Sequence, residues 1–100
     1  MSVTPVAGPN TQITTGGTPV IAISANANGG YITNPALNTD QGITTAEAIL
    51  VDPVNPPSLS ANGTTVSIQP GGTYLVIPGS VNPVYVNAAT GGHKFTAVQY

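Results

Sequence analysis

One hundred residues make one domain at most, and they carry a single cation, Lys94, against three carboxylates, Asp40, Glu47 and Asp52, with no cysteine. One lysine and no arginine exclude a protein that grips a nucleic-acid backbone or an anionic membrane surface, because both need clustered positive charge. No run reaches the roughly 18 apolar residues of a membrane-spanning helix, residues 1–5 lack the basic and apolar regions of a secretory signal, and zinc–thiolate sites and disulfides need cysteine.

Leu, Ile, Val and Phe make up 24 residues, and 19 of these are Ile or Val, whose stiff branched side chains suit a pleated sheet. Twelve glycines and ten prolines are more than helix interiors can carry. The class is therefore all-β with many turns. A typical soluble surface is about 25–35% charged. Here it must be covered by Thr, Ser, Asn, Gln, Gly and Ala. Such a surface is wettable, repels other copies weakly and loses few hydrated ions on contact, so it suits a chain that sits against other protein. A free monomer with a Thr/Asn coat is the alternative.

In chain order, residues 1–12 contain two prolines and a glycine without alternation and read as an extended arm, either frayed or ordered on a neighbour. Val3, Thr4, Pro5, Val6 and Pro9 of this arm are the candidate partner contacts, through addition of a strand to a neighbour's sheet edge. Residues 20–24 form a short apolar run behind Pro19, where the missing N–H is tolerated. Asn28-Gly29 predicts a type I′ turn, residues 31–33 a brief strand and Asn34-Pro35 a further turn. Residues 36–45 read as a surface loop with Gln41-Gly42 at its tip. Residues 46–52 have some helical composition, but Ile49-Leu50-Val51 before Asp52-Pro53 reads better as a strand ended by proline. The proline-dense residues 53–61 should cross between sheets or skirt an edge, and Asn62-Gly63 should start the next hairpin.

The last third is the most regular part. Four apolar runs, residues 65–68, 73–77, 84–86 and 94–98, are separated by Gly71-Gly72, Pro78-Gly79 and Gly91-Gly92. In residues 73–77 both faces are apolar, which predicts a central strand. In residues 93–100, His93, Phe95, Ala97 and Gln99 share a face, with Phe95 and Ala97 assigned to the core. The echo between ITTGGTPVI (residues 13–21) and IQPGGTYLV (residues 68–76) is explained by two similar hairpin turns.

No motif carries chemistry. His93 has no nucleophile elbow or comparable signature around it, and it reads as a polar residue at a strand start. Asp40, Glu47 and Asp52 read as solubilising and turn-capping groups, with Asp52 before Pro53 as a turn former. The chain has too few acids for a calcium loop and no glycine pair placed to cradle phosphate. No catalytic residue, cofactor or metal is expected.

The stretch VSIQPGGTYLVIPGS followed by NPVYVNAATGGHKFTAVQY, within residues 64–100, resembles small β-structured accessory proteins of tailed bacteriophage virions, most nearly head-decoration (cement) proteins. The resemblance implies a β-sandwich or jelly-roll domain, a homotrimer in preference to other oligomers, and a place on the capsid surface bound to the major capsid protein. That family shares no catalytic residues. The expected architecture is thus a single antiparallel sandwich of about eight short strands over residues 13–100, jelly-roll topology preferred, with the arm of residues 1–12 before it. The expected role is structural, with a receptor- or glycan-binding head module of a phage fibre or spike as the alternative.

Overall fold

Alternating and β-branched segments form ten short strands in a computed structural model that describes residues 4–44, 46–60 and 62–100. These are β1 (Val6–Ala7), β2 (Gln12–Ile13), β3 (Val20–Ile23), β4 (Gly30–Thr33), β5 (Ile49–Asp52), β6 (Val66–Ile68), β7 (Thr73–Val76), β8 (Val84–Asn87), β9 (His93–Lys94) and β10 (Thr96–Gln99). The one helical turn among the described residues is a 3-10 turn, Thr39–Gln41, closed by Gly42 in the left-handed region. Residues 46–52 yield a strand rather than a helix, β5, which is flanked by β8 and β6.

All pairings are antiparallel. One sheet has the order β1-β10-β4-β7, a second has the order β3-β8-β5-β6, and β2 pairs with β9. The two-stranded piece continues the first sheet's outer pair. Gly8 N–H donates to the Ala97 carbonyl and Phe95 N–H to the Thr11 carbonyl, so Pro9 and Asn10 stand opposite the single residue Thr96. This is a bulge, placed where proline has no N–H to offer. Counting β1–β2 and β9–β10 as one bent strand each leaves eight strands, in spatial order 1-8-3-6 and 2-7-4-5. That is the jelly-roll arrangement of a β-sandwich.

The extended segment of residues 6–13 therefore lies on the domain's own sheet, with Val6 opposite Gln99, Ala7 opposite Val98 and Ile13 fully buried opposite His93. The inner faces form one core. Ile32, Val76 and Ala97 come from the first sheet, and Ile23, Ile49, Val51, Val84 and Val86 from the second, with Ile13 and Phe95 at one end. Phe95 and Ala97 lie where the alternation assigns them.

Several turn assignments need correction. Asn28-Gly29 is not a type I′ turn, since only Gly29 and Gly30 there, with Asn26 further back, have positive φ. The strands on either side of it, β3 and β4, belong to different sheets. The two Gly-Gly turns are not hairpins either. Thr15–Thr18 leads toward β3, in a sheet that excludes β2, and Gln69–Gly72 links β6 to β7 in the opposite sheet. Both are four-residue turns with glycine at the third position, Gly17 at φ 82° and Gly71 at φ 89°. They are offset by one residue in the shared I-x-x-G-G-T, so the echo does not give equivalent turns. Of the two alternatives for the proline-dense segment, crossing between sheets is excluded: the chain after β5 returns to β6, the edge strand of the same sheet, and Asn62-Gly63 lies in that connection. Residues 73–77 contribute an edge strand, β7, not a central one.

One side of the sandwich is tightly closed. Asn10 Nδ2 donates to the Ile21 carbonyl at 2.9 Å, and Gln99 Oε1 accepts from the Ser24 N–H at 2.8 Å. Between these links Gly8 approaches β3 so closely that a Cβ there would lie 1.9 Å from the Ala22 carbonyl oxygen. Gly8→Ala should therefore cost about 1–3 kcal/mol through overpacking. Gly63→Ala is the control, because nothing lies within 4 Å of its Cβ position, and it should be neutral or slightly stabilising. Urea unfolding midpoints of the two variants check this. Equal midpoints would refute the close-packed corner.

Candidate functional site

Alternation along the first sheet sends every second side chain outward. Register then aligns Ala7, Val98, Tyr31 and Leu75 as one row across all four strands, β1-β10-β4-β7. The row beside it is Thr96, Thr33 and Thr73, with the Thr33 and Thr73 hydroxyls 2.9 Å apart. Ile77 follows Leu75 two residues on. Leu75 is 76% exposed and Ile77 72% exposed. This outer face bears apolar and threonine side chains and no charge.

The second sheet's outward side chains are treated differently. Asn87 and Asp52 point outward on β8 and β5, yet both are fully buried, because the chain covers them itself. Asn87 Nδ2 donates to the carbonyls of Pro57 and Gly17, at 2.8 and 3.1 Å, and its Oδ1 accepts from the Ala88 N–H. Asp52 accepts from the N–H groups of Val54 and Asn55 and from the hydroxyls of Thr64 and Thr65. These contacts hold the proline-dense connection over that sheet. The sandwich is thus covered on one side and bare on the other.

Of the candidate contact residues, Val3 lies outside the described residues. Thr4, Pro5, Val6 and Pro9 are exposed, with Val6 on the edge strand β1. Ala7, rather than Val6, shares the outer row. Leu75, Ile77, Tyr31 and Val98 were not among the sequence candidates. For Leu75 and Ile77 the signal was the two-sided apolar pattern of residues 73–77, which an interior strand and an uncovered face produce equally; Tyr31 and Val98 join them only through the register of β4 and β10.

The residues weighed for catalysis form a structural tie. His93 is buried, with Nδ1 3.2 Å from Glu47 Oε1 and Nε2 2.9 Å from Asn34 Oδ1. Asn34 is fixed in that orientation, since its Nδ2 donates to the carbonyls of Glu47 and Ile68, both at 2.8 Å. Both ring nitrogens thus lie within hydrogen-bond distance of a side-chain oxygen. Glu47 also accepts from the Thr90 N–H and hydroxyl at 2.9 and 3.0 Å. Its partial burial acts to raise its pKa, but the bonds from Thr90 and His93 outweigh this and hold it below the ordinary carboxylate value. No nucleophile is hydrogen-bonded to His93 among the described residues, so the pair lacks the arrangement of a catalytic triad. Asp40 is exposed on the 3-10 turn, apart from this tie. No group of three or more metal-ligating side chains occurs among the described residues.

Comparison with protein-family models, with curated proteins and with solved structures finds no match to this chain.

Two predictions follow from the buried polar groups. His93→Ala should orphan Asn34 Oδ1 and one contact of Glu47 and lower stability by about 1–3 kcal/mol, read from urea unfolding. A loss under a few tenths would show that the tie is not a structural brace. Burial acts to raise the Asp52 pKa, and its bonds from the Asn55 and Val54 N–H groups and the Thr64 and Thr65 hydroxyls bring it below the ordinary value. A carboxylate with a lowered folded-state pKa gives stability that is fully present above the unfolded value of about 3.9 and lost as pH falls through the folded one. Asp52→Ala should therefore be less stable than the parent at neutral pH, and the gap should narrow toward about pH 2. A gap constant with pH would rule out the ionised carboxylate as the stabilising form.

Proposed function

We propose that this chain is a structural virion protein that decorates and stabilises a phage capsid, seating on the lattice of the major capsid protein. The observation that carries this reading is the bare, uncharged outer face of the β1-β10-β4-β7 sheet, ending in the exposed Leu75 and Ile77 of an edge strand. Soluble proteins guard such edges with charge, bulges or a covering segment. β7 carries no charged residue, so a covering partner accounts for it. Contact there removes apolar area from water without stripping ions of their hydration. The jelly-roll fold adds support by analogy alone, since that architecture serves capsid and lectin domains alike.

A protein that binds only the assembled lattice stabilises it by mass action, whatever the subunit chemistry. A homotrimer fits such a role, placing three copies of the same face around one lattice axis. The expected result by light scattering is a trimer whose mass does not change on dilution; a persistent monomer would remove the trimer from the proposal. Leu75→Asp, which changes an exposed side chain, should leave the fold intact and weaken co-sedimentation with empty capsid shells by about tenfold or more. Unchanged co-sedimentation would remove this face from the interface. Absence of any co-sedimentation by the parent protein would overturn the decoration reading in favour of the fibre- or spike-head alternative.

A further inference from the structure

The chain's one lysine stands at a cleft that borders the proposed lattice face at Thr96. Lys94 lies on β9, opposite Gln12 of β2, and both line a cleft of about 340 Å³ together with Thr11, Thr96 and Gln41. That volume lies at the low end of the range of small-molecule sites, about 300–1,000 Å³, and suits one compact ligand. The far wall is the loop of residues 38–43. Paired hydrogen bonds between Asn38 and Ile43 hold this loop closed and keep Gln41 at the rim. The walls are therefore strand pairs and a tied turn, elements that fix side chains better than open loops do.

The chemistry of the wall narrows the ligand. Lys94 makes no ion pair or side-chain hydrogen bond with another described residue; the one ion pair among them is His93 with Glu47. Its ammonium lies beside Gly42, where a Cβ would stand 3.2 Å from Nζ. No carboxylate lines the cleft. One unneutralised positive charge calls for one negative charge, a carboxylate more than a dianionic phosphate. Two amides and two hydroxyls, each able both to donate and to accept, match a ligand rich in hydroxyl groups. Pro35 and Ile43, both partly exposed, supply an apolar patch of the kind the C–H face of a sugar ring covers.

We propose that the cleft between Lys94, Gln12 and Gln41 is a binding site for an acidic sugar, with Lys94 pairing with its carboxylate and the glutamines and threonines reading its hydroxyls. The cleft touches the proposed lattice face only at Thr96 and uses neither Leu75 nor the row of Ala7, Val98 and Tyr31, so its test does not depend on the capsid-decoration reading.

The test uses the isolated full chain and titrates it with methyl glucuronide, methyl glucoside or acetate, followed by the backbone and side-chain amide signals in NMR. The expected result is a saturable shift of Gln12, Gln41 and Lys94 signals with methyl glucuronide. Methyl glucoside and acetate should each bind about tenfold more weakly or worse. Lys94→Gln should lower glucuronide affinity by a similar factor, with unchanged dispersion of the remaining spectrum. Gln41→Ala provides a second variant on the opposite wall and should also weaken binding. Three results would overturn the proposal: no saturable shift at millimolar glucuronide, equal binding of glucuronide and acetate, or binding unaffected by either substitution. Because no capsid is present, none of these outcomes bears on lattice docking.

Discussion

The pairing of the chain's beginning with its end holds the rest of the sandwich in place. β1 and β2 lie against β10 and β9, so the first strand becomes the edge beside the last. Without this pairing Ile13, Phe95 and Ala97 would lose their cover, and β10 would become an unpaired edge in contact with water. The bulge at Pro9-Asn10 and the close approach of Gly8 to Ala22 let the first strand bend from the sheet edge into the corner of the sandwich. Loop closure over almost the whole chain must precede the reward of these contacts, which places the fold among the slow, non-local β topologies.

A second constraint follows from the small core. A domain of this size buries a smaller fraction of its surface than larger ones, and with no disulfide it has little stability to spare. Long connections in such a domain tend to open. Three buried polar side chains counter this by reaching across chain segments. Asn34 ties the Glu47 and Ile68 carbonyls, Asp52 ties residues 54, 55, 64 and 65, and Asn87 ties Pro57 and Gly17. No described buried side-chain N or O atom is left without a partner. Each tie contributes because its loss would leave buried groups unpaired, a cost larger than the net worth of the bond itself.

This division explains what the sequence made legible. Strands at residues 20–24, 31–33, 49–51, 65–68, 73–77, 84–86 and 94–98 were readable because alternation and β-branching act within a few residues. Their number and the turns between them pointed to an antiparallel sandwich, and the preference for a jelly roll came with the resemblance to phage decoration proteins. Partner choice was not readable locally. A turn such as Gln69-Pro70-Gly71-Gly72 records the φ that its backbone needs and says nothing of which strand the next one will join. In this topology only β5 and β6 are neighbours both in sequence and in a sheet, so treating Gly-containing turns as hairpins failed at Asn28-Gly29, Gly16-Gly17 and Gly71-Gly72. Likewise Asn34, Asp52 and Asn87 have ordinary loop and turn chemistry in sequence. Asp52 does make the local turn bonds to Val54 and Asn55, but the rest of these ties come from segments 12 to 70 residues away.

Residues 73–77 show how a misread strand leads to the functional question. Tyr74 and Val76 pack toward the core, while Leu75 and Ile77 stand in water. An interior strand would have buried both sets, and the sequence alone does not separate the two cases, because cover can come from the same chain or from another. The contrast with the opposite sheet favours another chain. There, Asn87 and Asp52 hold Pro57, Val54, Asn55, Thr64 and Thr65 of the covering connection, whereas the face of Ala7, Val98, Tyr31 and Leu75 has no such polar hooks. Its partner would meet apolar side chains and threonines with no ion to pair. Recognition on this face would therefore rest on shape and buried area, with little electrostatic steering and little sensitivity to salt. Charge in this molecule is confined to a few places that do not include the bare face. Glu47 and Asp52 are committed inside the fold, Asp40 lies on its turn, and Lys94 stands at the cleft. On the two proposals, the neutral face would serve extended contact and the single lysine a small ligand.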